Sequence, residues 1–212
     1  MAVVLRIDHD GDLTNRYVQV FREKHIFRNF ARDHSSHSLH TAINADANEG
    51  FVTALLTQHQ VDFVSGAGHG AYESFTGQGG KSIWTAGQNL NLLSGKFIHL
   101  LSCQTGAVLG RTAVREGAKA FWGYNVSFVF KHQDNVTSLE QDSLAELFLK
   151  MDIAIDRGIL ARRNASDIYD AITRYVAQCL ANLTTIDRGL LLSNYVHLAC
   201  PVVNWGNKAA TL

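Results

Sequence analysis

Apolar positions in this chain gather into short runs of strand length, and stretches with helical spacing lie between them. Residues 2–7 form a β-branched run that predicts a first strand, and residues 8–12, Asp-His-Asp-Gly-Asp, predict an acidic loop. Residues 13–32 are ambiguous. Leu13, Tyr17, Val20, Phe21 and Phe27 have partial helical spacing, and a short strand over 25–30 is an alternative. Residues 33–40 are polar and predict a loop. A helix is predicted over 44–60, with Phe51, Leu55 and Leu56 on one face and Asn44 or Asp46 as its cap. Residues 61–65 and 97–101 read as buried strands, each ending in a loop of small residues. The Gly-rich stretch 72–95 between them predicts a loop or hairpin and then a short helix.

Residues 104–116 predict a helix stopped by Gly117, and 119–124 the next strand. Amphipathic helices follow over 138–155 and over 164–183, the second with Ser166 as a cap. An apolar stretch over 190–203 predicts a last strand or extended segment. Buried-type strands alternating with helices imply an α/β fold, a mostly parallel sheet with helices on both faces. Such sheets place their functional loops at the carboxyl ends of the strands.

Composition narrows the options. At 212 residues with 46% hydrophobic and 18% charged, the chain can bury a sizeable core as a single domain over 1–212. Its α/β core is expected over about 1–125, and 126–212 would be a helical and C-terminal elaboration. Lys plus Arg and Asp plus Glu are both 19, so no excess positive charge exists to grip nucleic acid or an anionic membrane. Cys103, Cys179 and Cys200 are odd in number and form no framework, which suits free thiols in a reducing compartment. The N-terminus meets Arg6 too early for a signal-peptide core, and no apolar run approaches the ~18 residues of a membrane span. A soluble cytoplasmic protein is expected. His34, His37 and His40 invite a metal reading, but their spacing converges poorly and no carboxylate or Cys pattern supports it, so neither metal nor cofactor is expected.

Two loops carry candidate chemistry. Gly68-His69-Gly70 follows the strand at 61–65, and Ser102-Cys103-Gln104-Thr105-Gly106 follows the strand at 97–101. A thiol needs a base to become a nucleophile, and an imidazole can take its proton and later protonate a leaving amine. If the two strands are sheet neighbours, His69 and Cys103 form such a dyad. The amides of Gly70 and Cys103 would then face a carbonyl oxygen as it becomes negative. A helix starting directly after Cys103 would add a favourable N-terminus. Taken singly, a strand-end His or a buried Cys is more often structural.

In their order and spacing, Gly68-His69-Gly70, Leu101-Ser102-Cys103-Gln104-Thr105-Gly106 and residues 116–124, Glu-Gly-Ala-Lys-Ala-Phe-Trp-Gly-Tyr, resemble the caspase–gingipain–clostripain clan of cysteine peptidases, in its gingipain-like and CHAT-domain branch. The resemblance covers roughly 61–124. It implies a caspase-like three-layer α/β/α sandwich and a cysteine endopeptidase with His69 as base and Cys103 as nucleophile. It also implies a pocket for the residue before the scissile bond, near Asp8, Asp10, Leu101, Trp122 and Tyr124. An Arg or Lys there would be held by Asp8 or Asp10. The expected partners are a protein substrate and an activating or regulatory protein, with a role in bacterial defence or cell death. Arg162-Arg163 is a conceivable self-cleavage site. The alternatives are a weakly active or inactive binding module of the same fold, or a metal- or nucleotide-binding α/β protein. The nucleotide version lacks a Gly-rich phosphate motif after the first strand.

Overall fold

Five parallel strands form the sheet, and their order explains where the chemistry gathers. The computed structural model describes residues 1–199 and 211–212. Strand β1 (Ala2–Asp8) leads into helix α1 (Leu13–Arg22), a π turn (Glu23–Phe27) and the short helix α2 (Phe30–Asp33). Strand β2 (His37–Ile43) and helix α3 (Glu49–Gln58) follow, then β3 (Phe63–Ala67). Short strands β4 (Gly70–Ala71), β5 (Ser74–Thr76) and β6 (Ser82–Thr85) form a separate antiparallel sheet. Next come β7 (Phe97–Leu101), α4 (Leu109–Arg115) and β8 (Ala120–Tyr124). The chain then runs through α5 (Ser143–Leu160), α6 (Ala165–Leu180), α7 (Thr185–Val196) and β9 (Leu198–Ala199).

The main sheet has the order β2-β1-β3-β7-β8-β9, with β9 antiparallel to β8 and the other pairs parallel. Strand order reverses between β1 and β3. At such a switch point the loops leaving the two carboxyl ends diverge and open a crevice. One buried cluster fills the face under α1, α5, α6 and α7, and a second fills the face under α3, α4 and the β5–β6 hairpin. The layers are therefore helix, sheet, helix, as the strand pattern predicts. Among the described residues, no helix is long and apolar enough to cross a membrane.

Several local expectations are corrected. Residues 25–30 are not a strand. Arg28 N–H donates to Glu23 O at 2.9 Å, so one extra residue is inserted in a continuous helical run. That insertion turns Ile26 and Phe27 back toward the core face already used by Tyr17 and Phe21. The polar stretch 33–40 is not all loop. From His37 it is β2, paired along its length with β1, and as an edge strand it can present polar side chains to solvent. Its histidines do not converge: His40 stacks on His59 at 3.8 Å, whereas His37 lies edge-on to His34. Among the described residues no group of three or more His, Cys, Asp or Glu could hold a metal.

Helix α3 is capped by Asn48, whose side chain accepts from Phe51 N, rather than by Asn44 or Asp46. Its buried face is Val52 and Leu56, and Phe51 is exposed. Asn164, not Ser166, caps α6. Among the described residues of 190–203, the chain is helix α7, capped by Thr184, up to Val196, and Leu198–Ala199 is extended. Residues 200–203, and with them Cys200, lie outside the described residues.

A charged network runs through the face under α1 and α5. His99 on β7 is fully buried, with Nδ1 2.7 Å from Asp156 Oδ1 and Nε2 3.0 Å from Asp152 Oδ1. Tyr124 donates to Asp152 at 3.0 Å, and Ser65 donates to Asp156 at 2.8 Å. Arg22 donates to the Ser65 hydroxyl and carbonyl, and its Nε lies 3.0 Å from Asp8 Oδ1. Arg6 holds the other Asp8 oxygen. Burial opposes the charge on His99, but Asp152 and Asp156 outweigh it and raise its pKa to about 9. Arg6, Arg22 and protonated His99 thereby face Asp8, Asp152 and Asp156, and Arg6 also binds the partly exposed Glu23. Four strands and two helices are tied together.

Candidate active site

Strands β3 and β7 pair in parallel from Phe63↔Phe97 to Ala67↔Leu101, so their carboxyl ends lie side by side. The sheet neighbourhood that the dyad requires is present. Beyond the ladder, Gly68 N–H donates to Leu101 O at 3.2 Å. The two glycines around His69 are there because neighbours leave no room. A Cβ on Gly68 would lie 2.4 Å from Thr76 O, and one on Gly70 would lie 2.5 Å from Cys103 O. The His69 loop is thus packed against the backbone of the Cys103 loop. His69 O accepts from Thr76 N–H at 2.9 Å, which fixes the backbone while leaving the ring largely exposed.

The His69 ring is held from the first loop. Its Nε2 is 2.5 Å from Asp12 Oδ2 and 3.1 Å from Asn15 Nδ2. Asp12 also caps α1, accepting from Asn15 N–H at 2.9 Å, and Asn15 Nδ2 donates to Asp12 Oδ2 at 2.8 Å. Partial burial works against the Asp12 carboxylate, but the Asn15 amide and His69 outweigh it and hold its pKa below the ordinary range. An ionised Asp12 assigns the tautomer: Nε2 carries the proton and donates it to Asp12, and Nδ1 keeps its lone pair. His9 lies 5.9 Å from the His69 ring, and its pKa is lowered by burial and by that neighbour.

Cys103 is half-buried, with Sγ 4.0 Å from the Phe128 carbonyl oxygen. The next residue, Gln104, has φ +62°, a left-handed conformation uncommon for a residue with a Cβ. It is held by Gln104 N–H donating to Val126 O at 3.0 Å and by Gly106 N–H donating to Tyr124 O at 2.9 Å. Ser102 and Thr105 hydroxyls bond at 2.9 Å beneath the loop. Strain kept by such bonding gathers at functional sites. The predicted helix directly after Cys103 is corrected: residues 104–108 form turns, and α4 starts only at Leu109 with no side-chain cap. The thiol therefore does not sit at a helix N-terminus.

Of the predicted site residues, His69, Gly70 and Cys103 come together at one edge. Of the predicted pocket residues, four have side chains buried away from any substrate. Asp8 is fully buried and bound by Arg6 and Arg22, so it cannot receive a substrate side chain. Leu101 and Trp122 are packed in the core, and Tyr124 is spent on Asp152. Asp10 is exposed on the β1–α1 loop. Asp12 and Asn15 were not singled out as partners of His69. Their signal was the capping spacing Asp12-Leu13-Thr14-Asn15 in a loop already placed at the right sheet edge.

No protein-family model matches the sequence, and no curated protein matches it. Among solved structures, the fold is similar to one from Porphyromonas gingivalis, the complex of the RgpB pro- and mature domains. That match has a TM-score of 0.51 and 9% identity, and covers 99% of this chain. This chain spans about half of that one, 49% of its length. At this identity the likeness establishes the fold alone. The architecture is a caspase-like α/β sandwich with a mostly parallel sheet.

Proposed function

We propose that this protein is a cysteine endopeptidase in which His69 is the base and Cys103 the nucleophile. The observation that carries the reading is the contact between the two strand-end loops, with the imidazole tied through Nε2 to Asp12 so that Nδ1 is the nitrogen left to accept a proton. In the first step Nδ1 takes the Cys103 proton as Sγ bonds to the substrate carbonyl carbon. The amides of Gly70 and Cys103 stabilise the oxyanion, each donor contributing about 2.7–4 kcal/mol. His69 then returns the proton to the leaving amine, and water hydrolyses the thioester with His69 again as base. Asp12 keeps the ring in orientation and steadies the imidazolium. Asp8 cannot hold an Arg or Lys before the scissile bond, because it is already neutralised and buried.

Intact-mass labelling with a peptide acyloxymethyl ketone tests the dyad. Modification should be confined to Cys103 and be lost in His69→Ala. Equal labelling of Cys179, or labelling that survives without His69, would overturn the assignment.

A further inference from the structure

A small cleft lies between the first turns of α1 and the segment after β8. It measures about 180 Å³ and is walled by Leu13, Thr14 and Tyr17 of α1 and by Phe128, Phe130 and His132 of the segment after β8. Leu13 directly follows Asp12, which holds His69. The Phe128 carbonyl touches Cys103 Sγ. One wall thus adjoins the residue that holds His69, and the other contains the residue whose carbonyl lies against Cys103. We infer that it receives the substrate side chain on the acyl side of the scissile bond and selects an uncharged apolar or aromatic one. This rests on the peptidase reading and names the substrate class for the same site.

Size, chemistry and rigidity support the assignment. Ligand pockets for whole small molecules run to roughly 300–1,000 Å³, so this one fits a single side chain. None of its walls is acidic. Asp142, behind Tyr17, is fully buried and satisfied, and Asp12, which precedes Leu13, is engaged with His69 and Asn15. Asp142 accepts from the Tyr17 hydroxyl at 3.0 Å, Gln133 N–H at 2.8 Å and Ala145 N–H at 2.9 Å. Burial and Asp142 push the Tyr17 phenol up to about 12, so it stays neutral. A Lys or Arg side chain entering the cleft would lose hydration without meeting a carboxylate in its walls, whereas burying an apolar one is favourable. The walls are already formed. Tyr17 stacks on His132 at 5.2 Å and meets Phe130 edge-on at 5.8 Å. Asn194 pins the intervening Val129, donating to its carbonyl at 2.7 Å and accepting from its N–H at 3.1 Å.

Three acyloxymethyl ketone peptides that differ only in the residue next to the warhead, Phe, Arg or Asp, provide the test. The rate of Cys103 modification should be at least ~10-fold faster with Phe than with Arg or Asp. Leu13 is half-exposed in the first turn of α1, where an acid suits the helix N-terminus. Leu13→Glu should therefore fold and should shift the Phe-to-Arg rate ratio by about tenfold toward Arg, while Leu13→Gln should keep the apolar preference. Fastest labelling by Arg or by Asp, equal rates for all three, or a ratio indifferent to Leu13→Glu would overturn the inference and leave the dyad standing. If iodoacetamide modifies Cys103 but no peptide does, the peptidase reading falls and the inference with it.

Discussion

His69 and His99 each meet a carboxylate at short range, 2.5 Å from Asp12 and 2.7 Å from Asp156. The pairs sit at the end of β3 and in the middle of β7, adjacent strands of one sheet. Their surroundings differ completely. The His69 side chain is 56% exposed and the His99 side chain is 0% exposed. In the core, charge survives only because every ion has a counter-ion, so His99 is held protonated by two carboxylates and is saturated at both ring nitrogens. At the crevice the ring is open to water, and Asp12 engages only one nitrogen. A histidine with both nitrogens engaged is a staple. A histidine with one nitrogen free beside a thiol loop is what the proposed dyad requires.

The sharpest way to break this contrast is to remove each ring. His69→Ala should lower the rate of Cys103 modification by about 10²–10⁴-fold, as expected for a lost general base. It should change unfolding free energy by no more than ~0.5 kcal/mol, because an exposed side chain supports little. His99→Ala should do the reverse in kind. It leaves Asp152 and Asp156 in the core without their cation and should cost about 3–5 kcal/mol in urea denaturation. Equal destabilisation by the two substitutions would abolish the distinction.

The two pairs were unequally legible in the sequence. Gly68-His69-Gly70 announces a loop where backbone must pass close to backbone, and Cys103 follows a strand of matching length, so these positions follow from local pattern. The parallel sheet also follows from alternation of strands and helices, while the order that makes the two strands neighbours comes from the structure. His99 gives a fainter signal, a polar residue inside Phe97-Ile-His-Leu-Leu101, and its partners Asp152 and Asp156 stand a helical turn apart in an otherwise apolar run. Pairing them requires knowing that α5 crosses under β7, which is tertiary information. The pocket failed for a related reason. Asp8 looks like a free acid in sequence, but Arg22 is brought to it by α1 folding back along the sheet. The polar edge strand β2 and the π turn were hidden because neither shows the apolar periodicity of a buried element.

A pH series separates the pairs next. The folded pKa of His99, about 9, lies above its ordinary 6.5, so the stability it contributes is fully present below about 6.5 and is lost as pH rises through about 9. The loss should be roughly 3 kcal/mol. Asp156 has the opposite sign. Burial is outweighed by His99 and Arg22, its pKa is lowered, and its contribution is present above the ordinary carboxylate pKa and fades as pH falls. Urea midpoints measured from pH 6 to 9.5 should therefore decline in the wild type and stay flat in His99→Gln. Remaining below pH 10 keeps the buried phenols of Tyr17 and Tyr124, both pushed up, neutral. A wild-type midpoint that does not move over that range would mean His99 is already neutral.

The smallest effect tests how much Asp12 matters to His69. Asp12 has two jobs, capping α1 and holding the imidazole, and Asn can do the first but not the second with charge. Asp12→Asn should leave stability within a few tenths of a kcal/mol. It removes the carboxylate that would pair with the imidazolium formed during reaction; both side chains are substantially exposed, and such pairs contribute about 0.2–1 kcal/mol. The rate of Cys103 modification should accordingly fall only ~1.4- to 5-fold. A fall of ~100-fold or more would show that water does not screen this pair during reaction, and that the crevice closes around His69 once a peptide is bound. Asp12→Ala separates the jobs. It should cost an additional ~1 kcal/mol of stability through the lost cap, with no further loss of rate beyond that of Asp12→Asn. If the rate instead tracks the cap, then the position of α1, and not the carboxylate on His69, is what sets the geometry of the site.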